Sequence, residues 1–167
     1  MNFKKLGIAG VLGFFSMAII GGITFELFHK HHFASIVQKY PDVVSFPPNM
    51  VPAMLGGIFY MFVMVYIYDR MGVDSLKTGA VTGAWFGAAK WLFINTQWMA
   101  MMPNLFSASY VAIDVSLSAV MYAISGAAIG FALNRFDDLK GPSLEKPMDK
   151  INELQLGQDS KEKTLKE

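Results

Sequence analysis

Residues 76–136 read LKTGAVTGAWFGAAKWLFINTQWMAMM, then Pro103-Asn104, then LFSASYVAIDVSLSAVMYAISGAAIGFALNRF. From 78 to 113 the only charge is Lys90, and after Asp114 the chain is again uncharged to Asn134. About 20 mostly apolar residues suffice for a helix to cross the hydrocarbon core of a bilayer. The stretch therefore predicts two transmembrane helices, about 76–102 and 107–136, folded into an antiparallel hairpin at Pro103-Asn104. Small residues recur every four positions in both: Gly79, Gly83 and Gly87 in the first, Ala119, Ala123 and Ala127 in the second. In lipid little hydrophobic force draws helices together, and small faces let backbones approach and gain dispersion contacts. Folding about Pro103 sets Gly79 opposite Ala127, Gly83 opposite Ala123 and Gly87 opposite Ala119. The expectation is a glycine zipper that packs these two helices, or that binds a second copy of the chain.

Two more spans lie upstream. Residues 6–25 carry no charge, nor do residues 43–68, although Pro47, Pro48 and Pro52 make the start of the latter a poor helix. The expected spans are 6–28 and 50–68. Pro41, Pro47 and Pro48 separate them, and Asp69-Arg70-Met71-Gly72 ends the second. The first resembles a signal peptide in having Lys4 and Lys5 ahead of an apolar run. That run is long for such a segment and no small-x-small cleavage site follows, so it reads as a retained helix. The fold class expected is all-α: an integral membrane four-helix bundle, residues 1–136. A polar, largely disordered tail follows at 137–167.

Composition agrees with that reading. Hydrophobic residues are 53% of the chain and charged residues 16%, with mean hydropathy +0.37. Eight basic and five acidic residues serve the first 136, too few to cover a globule in water. No basic patch exists for nucleic acid. Zero cysteines exclude disulfide scaffolds, zinc–thiolate sites and iron–sulfur clusters.

Lys and Arg set orientation. With both termini inside, Lys4, Lys5, Arg70, Lys77 and Arg135 lie on the inner side and Lys30 and Lys39 outside, which favours N-in, C-in in a bacterial inner (cytoplasmic) membrane. In the first external loop Phe33, Ile36, Val37 and Tyr40 form one apolar stripe, the pattern of a short helix lying on the membrane surface.

Three ionisable residues fall within the spans: Glu26, Lys90 and Asp114. A charge at mid-bilayer costs at least ~2.5–3.5 kcal/mol, so such residues need partners. Lys90 precedes the turn at Pro103 by about as many residues as Asp114 follows it. At 1.5 Å rise per residue their levels differ by only ~3 Å. Depth thus pairs Lys90 with Asp114, or with the shallower Glu26. Azimuth is less favourable: Asp114 is turned about 140° from the alanine stripe, and with Ser118, Met121 and Ser125 it makes a separate polar stripe that could face the first or second helix.

Glu26-x-x-His29 has the i, i+3 spacing of carboxylate–histidine metal ligands. A single copy with no second ligand set makes these weak candidates, and no metal or other cofactor is expected. The methionines and tryptophans read as packing and interface residues. No phosphate-binding loop, nucleophile elbow or other catalytic grouping is present. Two functions remain. One is a non-enzymatic membrane subunit or scaffold that packs with other membrane proteins or with a second copy. The other is a small carrier or proton-linked transporter using Lys90, Asp114 and Glu26.

Overall fold

The computed structural model describes residues 3–41 and 45–136. The tail expected at 137–167 lies outside the described residues. Among these the secondary structure is helical, without strands. Helix α1 runs from Phe3 to Lys39, α2 is Met50–Arg70, α3 is Leu76–Met101 and α4 is Ala108–Arg135. Three of them, α1, α2 and α4, are long and apolar enough to cross a membrane.

Helix ends follow local chemistry. The Asn49 side chain accepts from the Val51 N–H, and Ser107 accepts from Tyr110 N–H. Ser75 and Thr78 form a reciprocal capping box at the start of α3. Between α2 and α3, Gly72 takes φ 71°, the left-handed conformation that permits the tight turn without a Cβ clash.

α1 is longer than expected. The reading above ended it near Phe28 and placed a separate surface helix in the loop. Instead Phe3–Thr24 passes through one π turn, Phe25–His29, directly into Lys30–Lys39. No Pro or Gly stands between Ile23 and Tyr40 to stop it, and the Glu26–Lys30 pair at i, i+4 bridges the turn. At 1.5 Å per residue α1 is ~55 Å long, longer than the ~30 Å hydrocarbon core of a bilayer.

The helices pack in the order α3–α4–α1–α2, with α2 meeting α4 only narrowly. The α3–α4 seam is close. A Cβ added at Gly79 would overlap the Gly126 carbonyl and lie 3.2 Å from Gly130 Cα. At Gly83 it would overlap the Tyr122 carbonyl, and at Gly87 it would lie 2.5 Å from Tyr122 Cβ. The positions facing the three glycines are thus 126, 122 and 118, each one residue before the alanines expected there. Ala119, Ala123 and Ala127 are half-buried.

The α4–α1 contact uses the Asp114, Ser118, Met121 and Ser125 stripe. Ser125 Oγ donates to the Gly13 carbonyl at 3.0 Å, and Met121 packs by Gly21 and Thr24. The filled core sits towards the Lys5–Asp69 end, where that ion pair joins α1 to α2 at 2.8 Å. Leu6, Ala9, Met64, Val65, Tyr68, Ile129, Ala132 and Leu133 are buried there. The Asn134 side chain donates to the Asp74 carbonyl, closing the same end of the α3–α4 hairpin. Towards the other end the helices leave space between them.

Candidate functional site

That space is a cavity of about 530 Å³ with α1 and α4 as its floor and α2 and α3 as its walls. It exists because the lining is small where helices would otherwise meet: Ala18 and Gly21 on α1, Gly56 and Gly57 on α2. Phe14, Met17, Phe25, Met61, Trp91 and Met121 are among its lining, and its surface is mostly apolar. Polar groups enter at two depths.

The deeper group is built on Lys90. α3 carries it towards Tyr60 of α2 and Tyr122 of α4. Its Nζ donates to Tyr122 Oη at 2.8 Å and lies 3.6 Å from the Tyr60 ring centroid. The rings of Tyr122 and Trp91 stand 5.4 and 5.5 Å away. These π faces stabilise the ammonium by ~2 kcal/mol or more when it is desolvated.

The shallower group is built on Asp114, which is buried. Asn95 Nδ2 of α3 donates to its Oδ2. His29 Nε2 of α1 lies 3.4 Å from its Oδ1, and His29 Nδ1 is 3.1 Å from Tyr110 Oη. The π turn positions the histidines. A π turn shifts the helical phase of all that follows it. His29 consequently reaches α4, and His32 stacks on Tyr110 with ring centroids 3.9 Å apart.

The expected Lys90–carboxylate pair is not formed. Among the described residues no carboxylate oxygen lies within 4.0 Å of Lys90 Nζ. Asp114 is engaged by His29 and Asn95. Glu26 is exposed, is not part of the cavity lining and pairs with Lys30. Depth does not separate the two backbones: the register that sets 118 against Gly87 sets 114 against 91, next to Lys90. Direction separates the side chains. The Cα–Cβ bond of a helix tilts towards its N-terminus, so side chains on antiparallel helices diverge. The Lys90 ammonium thus reaches Tyr122 and Tyr60 while the Asp114 carboxylate meets Asn95 and His29.

Glu26 and His29 do not share a site either, because the π turn breaks the i, i+3 alignment. Among the described residues no group of three His, Cys, Asp or Glu side chains is placed to hold a metal ion. Four members of the site were not singled out as such from sequence: His29 as a partner of Asp114, Asn95, Tyr60 and Tyr122. A signal existed for Asn95, an amide in an apolar span at the depth of a buried carboxylate. None existed for the tyrosines, which read as ordinary membrane aromatics.

Comparison of the chain with protein-family models, with curated proteins and with solved structures finds no match.

Proposed function

We propose that this protein is a small-molecule carrier of the membrane, and that its cavity holds an amphipathic substrate. One observation carries the reading: an apolar, aromatic cavity of about 530 Å³ with a lysine at one depth and an Asp–His–Asn group at another. Ligand sites combine these features, a mostly apolar wall with a few placed polar groups in a volume of roughly 300–1,000 Å³. Ionisable residues inside a membrane bundle also mark substrate or proton paths. The reading is non-enzymatic: binding and passage, without a covalent step. The subunit-or-scaffold reading drew on the small residues of α3 and α4, and the three glycines of α3 face α4 rather than a partner.

In this reading α3 also crosses the bilayer, giving four spans with both termini inside. Its whole-length hydropathy is lowered by Lys90, Asn95 and the threonines, which face inward or lie near its ends. Its outer face is apolar: Val81, Trp85, Leu92 and Phe93 are all exposed, as lipid-facing residues should be.

The test fills the cavity. Gly57 lines it, and an added Cβ there meets only Phe14, at 3.8 Å. Wild type purified in native membrane nanodiscs should carry a co-bound small molecule, identified by mass spectrometry, that Gly57→Phe lacks while retaining its helical circular dichroism. Equal content in both would overturn the cavity as a binding site.

A further inference from the structure

The cavity is asymmetric in how its charges are satisfied. Asp114 has both oxygens engaged, one by Asn95 and one facing His29. Lys90 has no anionic partner among the described residues. An ammonium has three donors. One goes to the Tyr122 hydroxyl and one face is covered by the Tyr60 ring, which leaves donor capacity directed at the cavity that Lys90 lines. A tyrosine hydroxyl and a π face are neutral acceptors, so the positive charge is cushioned but not neutralised. In a low-dielectric surrounding an ion is drawn strongly to an opposite charge. The group that would complete this site is an anion.

Its size and shape follow from the walls. Beyond Lys90 the lining is mostly apolar and aromatic, and the Asp114 group forms a second polar level held by other partners. A second anionic group at the far level would meet the Asp114 carboxylate and be repelled. A polar but uncharged far end could hydrogen-bond His29 or Tyr110.

We propose that the cavity selects an amphipathic monoanion: one small anionic oxygen group, such as a carboxylate, seated on the Lys90 ammonium, with an apolar body lying against Phe14, Trp91 and Met121. This rests on the carrier reading and names its substrate class. The same chemistry can arrive as a free organic acid or as the head of an acidic lipid.

The tryptophans give a direct readout. Trp91 and Trp98 line the cavity, and Trp85 faces outward, so a Trp85→Phe background restricts fluorescence to the two lining residues. In phosphatidylcholine nanodiscs this protein is titrated with ω-bromoundecanoate and, separately, with ω-bromoundecanol, whose bromine quenches indole. The acid should quench saturably. Lys90→Met should raise its half-saturating concentration about tenfold or more, the loss of one charge-assisted hydrogen bond. The neutral alcohol should give the same titration in both proteins. Tyr122→Phe, which keeps the charge but removes its hydroxyl partner, should retain saturable quenching by the acid.

Repeating the titration in discs containing phosphatidylglycerol separates the sources. If the acidic lipid occupies the site, it narrows the difference between wild type and Lys90→Met. If the occupant is a free acid, the difference persists. The proposal is overturned if acid and alcohol titrate alike in wild type, or if Lys90→Met leaves the acid unaffected. Should acid and alcohol saturate alike in wild type, and both be lost in Gly57→Phe, the cavity binds ligands and only the anion preference is wrong. Should neither saturate in wild type, the carrier reading fails with it.

Discussion

Tyr68 is fully buried, and among the described residues its hydroxyl has no hydrogen-bond partner. Its ring packs edge-on against Phe86 and fills the core. A buried polar group without a partner costs about 1–3 kcal/mol, whereas its apolar isostere does not. Tyr68→Phe should therefore raise stability by about 1 kcal/mol, seen as a higher unfolding temperature in detergent. A lower one would mean the hydroxyl is satisfied. The opposite sign is expected at Asp114. Removing its carboxylate strands the Asn95 amide and the His29 ring, so Asp114→Ala should cost about 1–3 kcal/mol. Double-mutant cycles distinguish its partners. Asp114 should couple to Asn95 and His29, which it touches, more strongly than to Lys90, which it does not. A larger coupling to Lys90 would restore the ion pair that depth counting suggested.

At the scale of elements the glycines divide by what surrounds them. Gly83 faces the backbone of Tyr122, which cannot yield as a flexible side chain would. Gly22 has nothing within 4 Å of an added Cβ. Gly83→Ala should force α3 and α4 apart at a cost of about 1–3 kcal/mol, the range for overpacking. Gly22→Ala should be neutral or mildly stabilising, since alanine is the better helix former. Thermal unfolding of the two variants compares them, and equal tolerance would contradict the close seam. The glycines of α3 lie in the seam, but the α4 residues that meet them, 126, 122 and 118, each stand one position before the alanines expected there. That offset depends on how many residues the non-helical turn at 102–107 consumes, which small-residue spacing does not encode. The π turn in α1 was likewise illegible. It answers to the contacts of His29 and His32 with α4, and no local propensity announces it.

For the whole molecule, the prediction that matters most is topological. The chain lacks cysteine, so single introduced thiols report cleanly. In intact cells a membrane-impermeant maleimide should label His31→Cys and Asn104→Cys, and should reach Met71→Cys only after permeabilisation. His31 and Asn104 bracket opposite ends of the chain's path but share the outer side if α3 crosses. Labelling of Asn104→Cys only after permeabilisation would place α3 on the inner surface and end the four-span reading. The packing order α3–α4–α1–α2 explains how a chain this small keeps an internal space. α2 and α3 each pack along a central helix and meet each other through side chains, Lys90 on Tyr60 and Phe86 on Tyr68, so the space between their backbones becomes the cavity.

Residue order alone determined that the chain is helical and apolar, where its helices break, and which three ionisable residues stand among apolar ones. These are local matters: proline and glycine act within a turn, and hydropathy is a property of the segment. The polar stripe of Asp114, Ser118, Met121 and Ser125 was legible for the same reason, since a helix fixes which of its own residues share a face. Which side chains meet across helices was decided only by the tertiary structure. Asp114 took His29 and Asn95 and left Lys90 to two tyrosines, because a pairing between helices depends on depth and rotation together. The seam holds the Lys90 and Asp114 backbones near one level, and direction separates their side chains, with the π turn carrying His29 to Asp114. Neither side-chain direction nor the π turn leaves a mark in composition or spacing, yet together they leave Lys90 without a counter-charge among the described residues.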